Sequence, residues 1–222
     1  MVWTIPNTLT ILRLIAAPCV ALVFVAFPRP IADWVAFALF VGASLTDWFD
    51  GHLARRWNQK SRFGALLDPI ADKAMVVITL AAVMALSGLD PWLVVPVTFI
   101  LFREVFVSGL REFLGASAGR LQVTRLAKWK TTVQMVAITL LLFGLALKEE
   151  LFWIYRSMVP EDYQAHIASG PHDWNGVWLL ARSSAIIAQS GLVLIWLAAV
   201  LTVITGWDYF RKSLPYLREP AE

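Results

Sequence analysis

Four aspartates fall in one stretch of the chain, Thr46–Lys73: Asp47, Asp50, Asp68 and Asp72. Asp47 and Asp50 stand three residues apart, and Gly64, Asp68 and Asp72 follow at intervals of four. Residues three or four apart share one face of a helix, so the spacing predicts two neighbouring helices that each present a pair of carboxylates. Gly51 and Ala54 continue the first stripe with almost no side chain. Four converging carboxylates repel one another, and their charge requires a cation. Hard divalent ions with oxygen ligands, Mg²⁺ or Mn²⁺, suit such a donor set, and two ions held by shared carboxylates form a clamp for displacement at phosphorus. A glycine inside a helix costs about 1 kcal/mol relative to alanine. Gly51 and Gly64 beside the acids therefore suggest that something bulky, such as a nucleotide, approaches the backbone. The competing account pairs the acids with Arg55, Arg56, Arg62 and Lys73. It suffices for one acid at the end of a span and is weaker for four at this spacing, because ionisable groups inside spans are rare and usually functional.

The elements that must position these groups are apolar. Of 222 residues, 59% are hydrophobic and 16% charged, and the mean hydropathy is +0.66. Soluble domains average about 25% charged residues. A span needs about 20 mostly apolar residues, and six runs qualify: 8–27, 32–51, 70–88, 92–110, 129–147 and 185–206. The expectation is an all-α integral membrane protein with six transmembrane helices, a single domain over 1–222. A polar outer segment at 148–184 has room for one short interfacial helix. Residues 9–27 lack a preceding basic region and a small-residue cleavage site, and are read as a retained span. Cys19 is the one cysteine, so no internal disulfide forms.

The isoelectric point of 9.2 does not indicate nucleic acid, because the basic residues flank apolar spans. They divide by side instead. Arg55, Arg56, Lys60 and Arg62 follow the second run, Arg111, Arg120, Arg125, Lys128 and Lys130 the fourth, and Arg211, Lys212 and Arg218 the sixth. The positive-inside rule puts both termini and the aspartates at the cytoplasmic face. Trp3, Trp34, Trp92, Trp153, Trp178 and Trp207 fall near span ends, as in an interfacial belt. His166 and His172 are taken as solvated loop residues, since a metal site wants more ligands close by.

The pattern D-x-x-D-G-x-x-A-R-x8-G-x3-D-x3-D is matched at Asp47, Asp50, Gly51, Ala54, Arg55, Gly64, Asp68 and Asp72. It resembles the signature of the CDP-alcohol phosphatidyltransferases. The resemblance implies a six-helix membrane fold, a homodimer and a bacterial cytoplasmic-membrane location. It also implies a site for two Mg²⁺ or Mn²⁺ ions held by Asp47, Asp50 and Asp68, with Asp72 as general base and also near the metals. On the same resemblance Asp47, Asp50, Gly51, Ala54, Arg55, Gly64 and Asp68 bind the CDP moiety. Gly51, Ala54 and Gly64 leave room for the cytidine, and Arg55 contacts nucleotide phosphate or pairs with an acid.

Three further stretches bear on the acceptor: Ile5–Arg13, Phe102–Phe113 and Ala127–Ala137. They resemble the bacterial phosphatidylglycerophosphate synthases within that family. That implies transfer from CDP-diacylglycerol to sn-glycerol 3-phosphate with release of CMP, Asp72 taking the proton of the C1 hydroxyl. A phosphorylated acceptor needs cations beside the acids, and Arg103, Arg111, Lys128 and Lys130 are the candidates. Glu104 and Glu112 are expected to hold the arginines. Gln134 reads equally as a packing residue, Asn7 as a helix cap and Arg13 as a snorkelling side chain. Three alternatives remain: another acceptor (serine, inositol phosphate or phosphatidylglycerol), a cation transporter, and a structural membrane scaffold. Transporters place acids near the midplane on broken, repeated helices, whereas these cluster at one face and no repeat is visible.

Overall fold

A computed structural model describes the backbone of residues 5–56, 62–115 and 125–217, and the side chains of 7–47, 63–115 and 129–216. Among the described residues seven α-helices follow one another: α1 (Ile5–Ala26), α2 (Ile31–Arg56), α3 (Arg62–Ser87), α4 (Pro91–Leu114), α5 (Arg125–Ser157), α6 (Pro160–Ser169) and α7 (Val177–Leu217). A 3₁₀ turn, Gly170–His172, joins α6 to the approach of α7. No strand occurs among the described residues.

Local chemistry sets the boundaries. Asp90 caps α4, its carboxylate accepting from the Trp92 N–H at 3.0 Å, and Pro91 fills the first helical position, where no N–H is needed. Pro69 lies inside α3, and Gly64, Asp68 and Asp72 share one helical face around it, as expected.

Six spans are expected on apolar length. Among the described residues four helices, α1, α3, α4 and α7, are long and apolar enough to cross a membrane. α2 contains Asp33, Asp47 and Asp50, and α5 contains Lys130, Lys148, Glu149 and Glu150. Both lie within the bundle. α1 packs on α2 and α3, α2 on α5, α5 on α7, and α7 on α4. Phe40, Met75, Leu80, Ile100, Ile138, Leu142 and Ile195 fill the common core. Leu12, Val25, Phe99, Val193 and Leu197 stay exposed on the outside of the bundle, where lipid would cover them.

The charges of α2 and α5 meet at one end. Asp33, 1% exposed, accepts two hydrogen bonds from Arg29 at 2.8 and 2.6 Å, and Arg29 reaches Glu149 of α5 at 3.1 Å. Beside them Trp34 donates to Glu150 at 3.0 Å and packs against Phe37 and Phe143.

Two boundaries move. α5 does not stop at 147 but runs to Ser157, and α7 extends beyond 185–206 in both directions. At 1.5 Å per residue, α7 is about 60 Å long, twice the hydrocarbon thickness of about 30 Å, so its ends lie outside that layer. The short helix expected in the outer segment is α6. His166 is not a solvated loop residue, because it sits in α6 and its ring bonds Asp173 at 2.8 Å and Asn175 at 3.2 Å. Asp173 also accepts from the N–H groups of Asn175 and Trp178 at 3.1 and 2.8 Å, which fixes the start of α7.

α5 and α7 approach closely because glycine lies at the contact. A Cβ on Gly144 would meet Ala188 at 3.2 Å, and one on Gly191 would meet the Leu141 backbone at 3.1 Å. Gly191→Leu should destabilise the fold by about 1–3 kcal/mol through overpacking, read as a lower Tm in detergent. Gly42→Ala, at a position with open space, should show no such loss. The Trp178 N–H, first among its partners, holds the Asp173 carboxyl below its usual range. The sign follows: a depressed folded-state pKa stabilises above the unfolded value of about 3.9 and is lost as pH falls through the folded value. Asp173→Asn should therefore lower Tm at pH 7, and the deficit should close as the pH is brought below about 4.

Candidate active site

Three helices meet at the acids. α2 carries Asp47, α3 carries Asp68 and Asp72, and α1 turns a polar stripe towards them: Asn7, Thr10 and Arg13, which are 5%, 2% and 3% exposed. Their spacing of three places them on one face of an otherwise apolar helix. Thr10 Oγ1 donates to Asp68 Oδ1 at 2.8 Å. Arg13 Nη1 donates to Asp47 Oδ1 and to Asp72 Oδ1, a double ion pair across three helices. The guanidinium is enclosed while the two carboxylates are about half exposed. The cation is thus the inner member, and the acids face outwards from it.

Asp47 and Asp72 line a small cavity of about 80 Å³ with Arg13, Ser44 and Thr131. Asp72 also lines a second cavity of about 240 Å³, whose charged walls are Lys73, Arg103, Glu104, Arg111 and Lys130, with Gln134 beside them. Four cations against the two carboxylates Asp72 and Glu104 leave a surplus of two positive charges. Glu104 bonds Arg103 at 3.2 Å and pairs with Lys130, tying α4 to α5. Lys130 is only 4% exposed, so its ammonium is held in place by that carboxylate.

Of the residues singled out from the sequence, the structure brings Asp47 and Asp72 together on Arg13, ties Asp68 to Thr10 on the same helix as Arg13, and gathers Arg103, Arg111 and Lys130 beside Asp72. Gly64 is buried on the face of α3 that carries Asp68 and Asp72. Asp50, Gly51, Ala54 and Arg55 lie in α2, and Lys128 in α5; their side chains fall outside the described residues. Glu104 holds Arg103 as expected, but Glu112 is exposed and makes no ion pair among the described residues. The partner of Asp47 and Asp72 is Arg13, a residue outside the pairing set Arg55, Arg56, Arg62 and Lys73. Thr10 carries no signal of its own in the sequence, and Asn7, Arg13 and Gln134 each have a bland reading there. The signal that could have found them is the polar stripe on α1, where an apolar span has no other reason to carry three hydrogen-bonding groups in register.

Two carboxylate oxygens bonded to one nitrogen lie at most about 6 Å apart. They are hard oxygen donors from different helices, each about half exposed on the side away from Arg13, so the residues present fit a divalent ion such as Mg²⁺ or Mn²⁺. Among the described residues no three acids or histidines are close enough to form a complete metal cage, and Asp50 is not among those compared.

Removing Arg13 leaves two carboxylates facing each other without their shared cation. Arg13→Ala should lower stability by about 1–3 kcal/mol, below the 3–5 of a fully buried pair because water reaches both acids. Arg13→Lys should recover part of the loss, since a point charge cannot bond both helices as a planar fork does. Thermal unfolding in detergent reads both.

Comparison with known proteins agrees with this geometry. The family description "CDP-alcohol phosphatidyltransferase" matches residues 3–161. A protein of Cereibacter sphaeroides named CDP-diacylglycerol–glycerol-3-phosphate 3-phosphatidyltransferase is 59% identical over 99% of both chains. Proteins with the same name from Escherichia coli (strain K12) and Rickettsia bellii are 42% and 36% identical, each over 96% of both chains. With Asp47 and Asp72 of its signature paired to Arg13 and Asp68 bonded to Thr10, this chain belongs to the CDP-alcohol phosphatidyltransferase family.

Proposed function

We propose that the chain transfers the phosphatidyl group of CDP-diacylglycerol to sn-glycerol 3-phosphate, giving phosphatidylglycerol phosphate and CMP in phospholipid biosynthesis. One observation carries the reading. Asp72 is the common wall of two cavities, one lined by the acid cluster and the other by a surplus of cations. A donor bound on the acid side and a phosphorylated acceptor on the cationic side would meet at this carboxylate. Relatives that the chain matches over 96% or 99% of their length are named for the same reaction.

Each residue then has a task. Asp47, Asp50, Asp68 and Asp72 would hold two Mg²⁺ or Mn²⁺ ions, which when bound supply the positive charge that neutralises the pyrophosphate and the developing charge at phosphorus. Gly51, Ala54 and Gly64 leave space for the cytidine, and Arg55 contacts its phosphates. Arg103, Arg111, Lys128 and Lys130 receive the acceptor phosphate, with Glu104 fixing the positions of Arg103 and Lys130. Arginine meets phosphate bidentately and lysine as a point charge. Asp72 Oδ takes the proton of the C1 hydroxyl, and the C1 oxygen attacks the phosphorus that bears diacylglycerol. The bond from that phosphorus to the CMP oxygen breaks in line, and CMP departs with the electron pair. Arg13 keeps the Asp72 carboxylate aimed at the junction of the two cavities.

The same reading completes the architecture. α2 and α5 join the four apolar helices as a six-span bundle, their charges covered by neighbours. The excess of basic residues beside the aspartates places the active site and both termini at the cytoplasmic face of a bacterial inner membrane. The active form is a homodimer.

Purified protein in detergent, given CDP-diacylglycerol, should release CMP with glycerol 3-phosphate and not with serine or inositol phosphate. Release with one of the latter would replace the acceptor, and no release with any would refute the reaction. Asp72→Asn should lower kcat by about 10²–10⁴-fold, the usual contribution of general-base catalysis. EDTA should abolish turnover, and Mg²⁺ or Mn²⁺ should restore it.

A further inference from the structure

We propose that α7 sets the acceptor-phosphate site through two residues on one of its faces, Gly206 and Tyr209, which position Arg103 and Arg111. This inference rests on the reading of the cationic cavity as the acceptor-phosphate site. The family match ends at residue 161, so α7 lies outside the region by which the family is recognised.

Tyr209 is 9% exposed and does not itself line the cavity. The Arg111 guanidinium lies over its ring, 5.3 Å from the centroid. That is a cation–π contact, so the ring is a platform behind an arginine whose other side faces the cavity. The Tyr209 hydroxyl is buried and has no hydrogen-bond partner among the described residues. A buried hydroxyl without a partner is unfavourable, so the position is not explained by bonding of the phenol; the ring face is what the neighbourhood uses. One turn earlier, Gly206 lies against Arg103. A Cβ there would come within 3.0 Å of Arg103 Cγ. Glycine lets the Arg103 stem lie across the backbone of α7, and its guanidinium then reaches Glu104 at 3.2 Å. Gly206 and Tyr209 are three residues apart and share a face.

Two neighbouring arginines repel and would otherwise splay to separate solvated orientations. A ring face behind one and a side-chain-free backbone beneath the other limit both before ligand arrives. Ordering binding groups in advance lowers the loss of freedom on binding. The effect should therefore fall on the affinity for the phosphorylated acceptor, and hardly at all on the lipid donor.

The test is steady-state kinetics on the full-length protein in detergent, varying glycerol 3-phosphate and CDP-diacylglycerol separately, with Tm beside each variant. Tyr209→Leu should raise KM for glycerol 3-phosphate about three- to tenfold, the range of one cation–π contact, with kcat and the KM for CDP-diacylglycerol nearly unchanged. Tyr209→Phe keeps the ring and should retain the wild-type KM; a Phe variant as impaired as the Leu variant overturns the ring-face role. Gly206→Ala improves helix propensity, so its Tm should not fall, yet its KM for glycerol 3-phosphate should rise as Arg103 is pushed aside. That split is one a merely structural role would not produce, and Gly206→Ala carries the test if Tyr209→Leu fails to fold. Tyr209→Leu in an Arg111→Ala background should add no further loss. If Arg111→Ala raises this KM while Tyr209→Leu and Gly206→Ala do not, the role of α7 is overturned and the phosphate site stands. If Arg111→Ala and Arg103→Ala both leave it unchanged, the phosphate-site reading falls, and the inference with it.

Discussion

A single buried guanidinium joins the first three helices. Arg13 lies within the bundle and bonds one carboxylate of α2 and one of α3 through the same nitrogen. A charge taken out of water is tolerated only when paired and hydrogen-bonded. Neither α2 nor α3 can slide along α1 without breaking that pairing. Thr10 adds a second tie from α1 to Asp68. The register of three helices, and with it the geometry of the acid cluster, follows from two polar residues in an apolar span. Because the cation is on the inside, the acids keep an open side, and a donor set that can take an external cation is left at the surface.

From Asp72 the structure divides. On one side are the acids, and on the other α4 and α5 contribute cations held by Glu104. A carboxylate between a repelling cluster and an attracting pocket is well placed to move a proton between two ligands. The cationic side needs more support than the acidic one, because its arginines and lysine are long and mutually repulsive. Glu104 supplies one constraint from within the pocket, and α7 supplies another from behind. α7 in turn owes its position to Gly144 and Gly191, which let it approach α5 to backbone distance. Packing far from the acids thus reaches the cationic cavity through one long helix.

At the opposite end of the bundle, charge serves packing. Asp33, Arg29 and Glu149 form a closed set that joins the start of α2 to α5, and Trp34 seals it. Among the described residues, α1, α3, α4 and α7 are long and apolar enough to cross a membrane. Hydropathy measures a helix as if it stood alone in lipid, whereas α2 and α5 lie against neighbours that pair their charges.

The sequence by itself determined the chemistry. The spacing of Asp47, Asp50, Gly64, Asp68 and Asp72 is a helical period, and a helix is local, so it can be read from one segment at a time. The apolar runs were legible for the same reason. What only the tertiary structure decided is how separate helices meet. Arg13 read equally as a snorkelling side chain, and its role appeared only when α1 was seen against α2 and α3. Tyr209 and Gly206 carry no signal in a one-dimensional pattern, because a tyrosine and a glycine three residues apart acquire meaning only from the arginines packed against them. Apolar length also could not settle the outer segment, where Asp173 ties α6 to α7 through bonds to His166 and Trp178. Periodicity is set by the backbone of one helix, whereas partners are set by packing between helices distant in sequence.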